Sequence, residues 1–119
     1  MGQMLSTNLG RTSVAVTGAK TLAITDQGID QVVTASATIT LPATVVGYVY
    51  TIVNGGDDDV TITINPNAAD LIAGNSFTAA DDKDVINTLG RAGDSITLIG
   101  NGTTGWNIVT STGTWTREA

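Results

Sequence analysis

The chain has 119 residues with 11 acidic and 5 basic side chains, a net charge of −6, no histidine and no cysteine. That inventory excludes a histidine-based triad or metal site, a cysteine nucleophile, a thiolate zinc site and a disulfide framework. It also argues against nucleic-acid or anionic-membrane partners, which need clustered lysine and arginine.

The length suits one domain with a core of modest size. Composition selects strands. Threonine is abundant, Glu118 is the sole glutamate, and 14 glycines with many Asn and Asp residues punctuate short apolar runs. The aromatics are Tyr48, Tyr50, Phe77, Trp106 and Trp115. Val, Ile, Leu and Ala must therefore fill most of the interior. No apolar run reaches the ~20 residues of a membrane-spanning helix. The N-terminus lacks the basic start and apolar centre of a signal peptide.

Residues 1–12 show no periodicity and read as an extended N-terminal arm. Met4, Leu5, Leu9 and Arg11 are its candidate contacts with a partner. Its first residues also fit the short N-myristoylation template, a pattern common by chance. Residues 13–119 form the folded domain. Residues 13–25 read as two short strands around Gly18-Ala19-Lys20, with Val14 and Val16 on one side and Leu22 with Ile24 likewise. Asp26-Gln27-Gly28 is a turn. Residues 29–35 give a further strand, at an edge, with Asp30 and Gln31 outward.

Residues 38–64 hold the strongest signal. Ile39 and Leu41 alternate with threonine up to Pro42, residues 47–53 form a β-branched and aromatic run, and residues 60–64 alternate again. Period-two alternation places one face in a core and the other in water. Asn54-Gly55-Gly56 has the chemistry of a hairpin turn. An antiparallel meander is expected.

Pro66 cannot donate to a central ladder, so the third strand stops there. Residues 71–73 are a short apolar segment. Residues 75–87 leave two options open: a helical turn begun at Asp81-Asp82-Lys83-Asp84, or loop and strand. Residues 90–94 turn into a strand at 95–99, and a Gly-Asn-Gly loop leads into its antiparallel return at 106–110. Trp106 lies on the alternating face and reads as core. Trp115, near the end among Thr and Gly, is the candidate contact with another chain, because tryptophan dominates interface hot spots. Roughly eight to ten short strands at this spacing predict an all-β fold: a single antiparallel β-sandwich or jelly-roll-like domain behind an extended arm.

Only carboxylates remain as chemical candidates. A carboxylate pair cleaves glycosides when held about 5–10 Å apart in a cleft that raises one pKa. Here the acids sit in polar turns, so no enzyme is expected. Asp57, Asp58 and Asp59 offer oxygens to Ca²⁺, but the cation-loop spacing is absent and a solvated turn is the simpler reading. The glycines at 100 and 102 precede a strand, so no helix N-terminus is there to hold a phosphate. No cofactor is expected.

The order Ile39-Thr40-Leu41-Pro42, Gly47-Tyr48-Val49-Tyr50-Thr51-Ile52-Val53-Asn54, residues 60–67 and Asp70-Leu71-Ile72 resembles the small β-sandwich module of tailed-bacteriophage virion proteins. The close, residues 93–98 and Gly105-Trp106-Asn107-Ile108-Val109, adds to the resemblance, which spans about two thirds of the chain. Such modules occur in head decoration (cement) proteins and in tail-fibre or tailspike proteins. The resemblance implies a non-enzymatic protein on the capsid surface of the virion. Its partners would be the major capsid protein and itself, as a homotrimer, with shell stabilisation as its work. A chain that starts at Met1 and holds one such module favours a decoration subunit. The alternative is a tail-fibre, tailspike or baseplate module that binds a host glycan or receptor, with Tyr48 or Tyr50 as a platform.

Overall fold

The computed structural model describes residues 11–57 and 59–119. Among them are eleven strands: β1 Ser13–Val16, β2 Lys20–Thr21, β3 Asp30–Val33, β4 Ala37–Thr40, β5 Val49–Asn54, β6 Val60–Asn65, β7 Leu71–Ala73, β8 Val85–Gly90, β9 Ser95–Gly100, β10 Gly105–Thr112 and β11 Thr116–Arg117. The one helical element is a 3-10 turn at Ile24–Asp26. The strands form two sheets, in the orders β1-β3-β5-β9-β10-β7 and β11-β8-β6-β4-β2. The all-β, two-layered architecture is the expected one. The pairing, however, is mixed rather than antiparallel throughout.

From β1 to β6 successive strands go to opposite sheets, and each of β1 to β4 pairs in parallel with the strand two positions on. The first half of the chain is thus a coil of three rungs, each with one strand per sheet. Stacking sets inward residues in columns. Val16 lies beside Val33 and Val33 beside Asn54, while Lys20 lies beside Ile39 and Ile39 beside Ile64. The ladder runs on past the strands, with Leu22 N donating to Thr40 O and Leu41 N to Asn65 O, both at 2.9 Å. The second half closes the coil. β9 pairs antiparallel with β5, β8 with β6, β10 with β9 and β11 with β8.

The meander expected at residues 38–64 is therefore corrected. β4 and β6 lie side by side and parallel in one sheet, and β5 lies in the other. The connection through Asn54 and Asp59 is a crossing between sheets, not a hairpin. Its glycines serve close approach rather than positive φ: a Cβ on Gly55 would meet the Val32 side chain, and one on Gly56 the Val60 side chain. β3 is likewise not an edge strand, because β1 and β5 flank it. Residues 75–84 hold no helix; Phe77 N donates to Gly74 O at 3.0 Å and the next strand begins at Val85.

One cluster of buried side chains joins both layers, including Leu22, Ile39, Tyr50, Ile62, Ile96 and Trp106. Tyr50 and Trp106 meet at 5.5 Å between ring centroids with planes tilted by 48°, within the range that favours aromatic pairs. The Tyr50 hydroxyl donates to Ala23 O at 2.9 Å. Burial first, then the Asp26 carboxylate and Tyr48, hold its phenol above the ordinary tyrosine value. Of the two tyrosines expected as a glycan platform, Tyr50 is thus a core residue, and Tyr48 is partly buried against the same core.

Candidate interaction surfaces

Of the expected contact residues, Met4, Leu5 and Leu9 lie outside the described residues, as does the myristoylation template. Arg11 is exposed and pairs with Asp30 of β3. Thr12 O accepts from Asp30 N at 2.9 Å, so the chain already runs along the sheet before β1 begins.

Trp115 is a correction. It is 5 % exposed and belongs to the shared core. Its indole N–H donates to Thr112 O at 3.0 Å. The turn with Gly113 at φ 88° folds the tail back, so the ring covers the core of its own chain instead of offering itself to another. Trp106 is core as expected, and its Nε1 has no hydrogen-bond partner among the described residues.

At the first rung the open end of the coil is closed by polar groups. Lys20 Nζ donates to Gln31 Oε1 at 2.6 Å and lies 3.3 Å from Asp26 Oδ1. Gln31, expected to face outward, is fully buried. A terminal rung has no neighbouring rung on its outer side, and a polar outer face there is the general solution.

At the opposite corner two buried asparagines link the sheets. Asn54 Nδ2 donates to Asn87 Oδ1 and to Val60 O, each at 3.0 Å, and Asn54 Oδ1 accepts from Gly56 N at 3.0 Å. Asn87 Nδ2 donates to Asp94 Oδ2 at 3.0 Å and to Thr114 O at 3.1 Å. Beside this node lies a polar cavity of about 230 Å³, lined by Asn87, Leu89, Arg91, Asp94 and Thr114 among others. Leu89 is 60 % exposed at φ 46°, a conformation costly for a branched side chain. Nothing in the sequence pattern marked Asn87 or Leu89. Both look like ordinary residues of a polar-rich strand.

The second titrating site is at β11. Asp84 N donates to Glu118 Oε1 and Glu118 N donates to Asp84 O, both at 2.9 Å. With its amide oriented to donate, Asn65 lies 2.9 Å from Asp84 Oδ1. Burial, then Glu118 and Asp82, push the Asp84 carboxyl above its ordinary value against the opposing pull of Lys83.

The broadest surfaces are the outer faces of the two sheets. Across all eleven strands only Lys20, Asp30 and Arg117 are charged; the remaining described charges sit on connections and ends. One row across the six-stranded face reads Ala15, Val32, Val53, Ser95, Thr112. Another reads Val49, Ile99, Asn107, Ala73. A row across the five-stranded face reads Thr38, Thr63, Ile86, Thr116. The first face is apolar with scattered hydroxyls; the second is mostly threonine. Compared with known families and with curated proteins, the chain matches no family model and no curated protein.

Proposed function

We propose that this chain is a decoration (cement) protein of a tailed bacteriophage, which binds the outside of the capsid as a homotrimer and stabilises the shell. The observation that carries the reading is the partition of side chains. Two charge-poor sheet faces are framed by acidic connections, as suits a body that packs against protein neighbours on its faces and is steered by its rims. Asp57, Asp59, Asp84 and Glu118 all flank strands of the five-stranded sheet. They give that side a negative rim that suits a basic patch on the major capsid protein. Stabilisation follows from mass action, since a partner that binds only the assembled shell favours that shell.

The test is co-sedimentation of the purified protein with expanded, empty capsids of its parent phage, beside a truncation starting at Ser13. Saturable binding is expected. Binding by the full chain alone would assign the anchor to residues 1–12, and binding by both to the folded body. No binding by either would overturn the reading. A second reading, a tail module that binds a host glycan, is favoured by the polar cavity beside Leu89. It predicts a glycan-array signal that disappears in Arg91→Ala.

A further inference from the structure

We infer that Lys20 and Gln31 react with each other to form an amide bond that joins the two sheets at the first rung of the coil. The inference is independent of the proposed function and starts from three side chains that meet there. Lys20 Nζ donates to Gln31 Oε1 at 2.6 Å and lies 3.3 Å from Asp26 Oδ1. One carbonyl bond, about 1.2 Å, separates Oε1 from Cδ, so the amine already sits beside the carbon it would attack. Reacting groups held in this way replace a chance encounter by a short slide of the lysine stem.

Each group is oriented by a second contact. The Lys20 ammonium can only donate, and Ile29 O, which takes the N–H of Gln31 Nε2 at 3.1 Å, can only accept. The Gln31 amide therefore has one orientation, with its carbonyl toward the amine and its leaving nitrogen away from it. Asp26 Oδ2 accepts from Ala23 N at 2.8 Å across the 3-10 turn, which leaves Oδ1 for Lys20. Asp26 is thus the base within reach for the protons that a nucleophilic amine must lose. Gln31 is fully buried, so water does not compete at its carbonyl. The other lysine, Lys83, donates to Ala119 O at 3.0 Å and not to a side-chain amide.

The step balances without a cofactor. Asp26 takes one proton from the Lys20 ammonium, and Nζ bonds to Gln31 Cδ. The bound nitrogen gives up a second proton, the Cδ–Nε2 bond breaks, and Nε2 leaves with both as ammonium. One ammonium and one carboxamide become one secondary amide and one ammonium ion; nothing is oxidised or reduced. The new bond ties β2, a two-residue edge strand of the five-stranded sheet, to β3 of the six-stranded sheet. It closes the loop through the 3-10 turn at the end of the coil that has no further rung, which restricts the unfolded chain.

The experiment is intact-mass spectrometry of the purified, denatured full chain, followed by trypsin. The wild-type chain and Lys83→Arg should each weigh less than their sequences by one molecule of ammonia. Trypsin should leave the wild-type chain uncut after Lys20, so that residues 12–83 stay in one piece. Lys20→Arg, Gln31→Met and Asp26→Asn should have full mass and release residues 12–20. A wild-type chain of full mass would overturn the inference, and so would a lost ammonia with Lys20 still cut. Ammonia loss that persists in Asp26→Asn would overturn the part given to Asp26. The wild-type mass decides the bond itself even where a variant fails to fold.

Discussion

Asn87 illustrates how a polar side chain comes to hold an apolar fold together. It is 1 % exposed, and its amide reaches Asn54, Asp94 and Thr114 O in three separate parts of the chain. Replacing it with leucine removes those bonds and leaves the Thr114 carbonyl and one Asn54 N–H poorly served. A buried polar group stripped of its partner costs about 1–3 kcal/mol. Urea unfolding of Asn87→Leu should therefore show a loss of that size with an unchanged m-value. Asn87→Asp should cost more at neutral pH, because it sets a second carboxylate beside Asp94. Residues of this kind were the least legible in the sequence. Alternation marks apolar positions as inward and polar ones as outward, and Gln31, Asn54 and Asn87 reverse that rule: Gln31 bonds to Lys20 and to Ile29 O at one end, and Asn54 and Asn87 bond to each other at the other. Trp115 fails for the opposite reason: position near the end of a chain says nothing about exposure when a glycine turn folds the tail back onto the core.

At the scale of elements, strand positions were legible and strand partners were not. The runs expected at 38–41, 47–53, 60–64, 95–99 and 106–110 each hold a strand, at 37–40, 49–54, 60–65, 95–100 and 105–112, because period-two alternation is a property of a single strand facing a core. It does not say which sheet a strand joins. A strand in either layer turns the same side chains to the same interior, so β4, β5 and β6 carry one pattern while alternating between sheets. The spacing between parallel partners also varies from rung to rung, which hid the coil from any search for a fixed repeat. β11 depends on a different balance. It is a two-residue strand held to β8, and beyond it Glu118 bonds to the backbone of Asp84. The raised Asp84 carboxyl means that the folded chain holds this proton more tightly than the unfolded chain does. Both states are protonated in strong acid. As pH rises from the ordinary carboxyl value through the raised one, folding loses stability from this group. Asp84→Asn keeps the backbone bonds and removes the charge. Its thermal midpoint should match that of the wild-type chain near about pH 3 and exceed it near about pH 7. Equal midpoints at both pH values would show that the carboxyl does not oppose docking of β11.

For the whole molecule, the question is whether the parallel coil and the antiparallel half fold as one unit. The buried cluster runs through both, and β5 is the seam, parallel to β3 on one side and antiparallel to β9 on the other. The crossing at Asn54 ties the same strand to the turn before β9, with Asn54 N donating to Asp94 O at 2.7 Å and Gly93 N to Asn54 O at 2.8 Å. A seam shared in this way makes separate opening of either half expose core on both sides. Two conservative substitutions probe this. Ile39 is fully buried in the coil and Ile96 fully buried in the antiparallel half; Ile→Val at either should cost about 0.5–1.5 kcal/mol. Both tryptophans lie in the C-terminal half, at positions 106 and 115, whereas far-ultraviolet circular dichroism reads strands everywhere. In a single cooperative unit the two signals coincide for each variant, and Ile39→Val lowers the tryptophan transition as much as the dichroism one. If Ile39→Val moved the dichroism signal and left tryptophan fluorescence in place, the coil would be a separate, weaker unit. The antiparallel half would then stand as the stable body on which the rungs are wound.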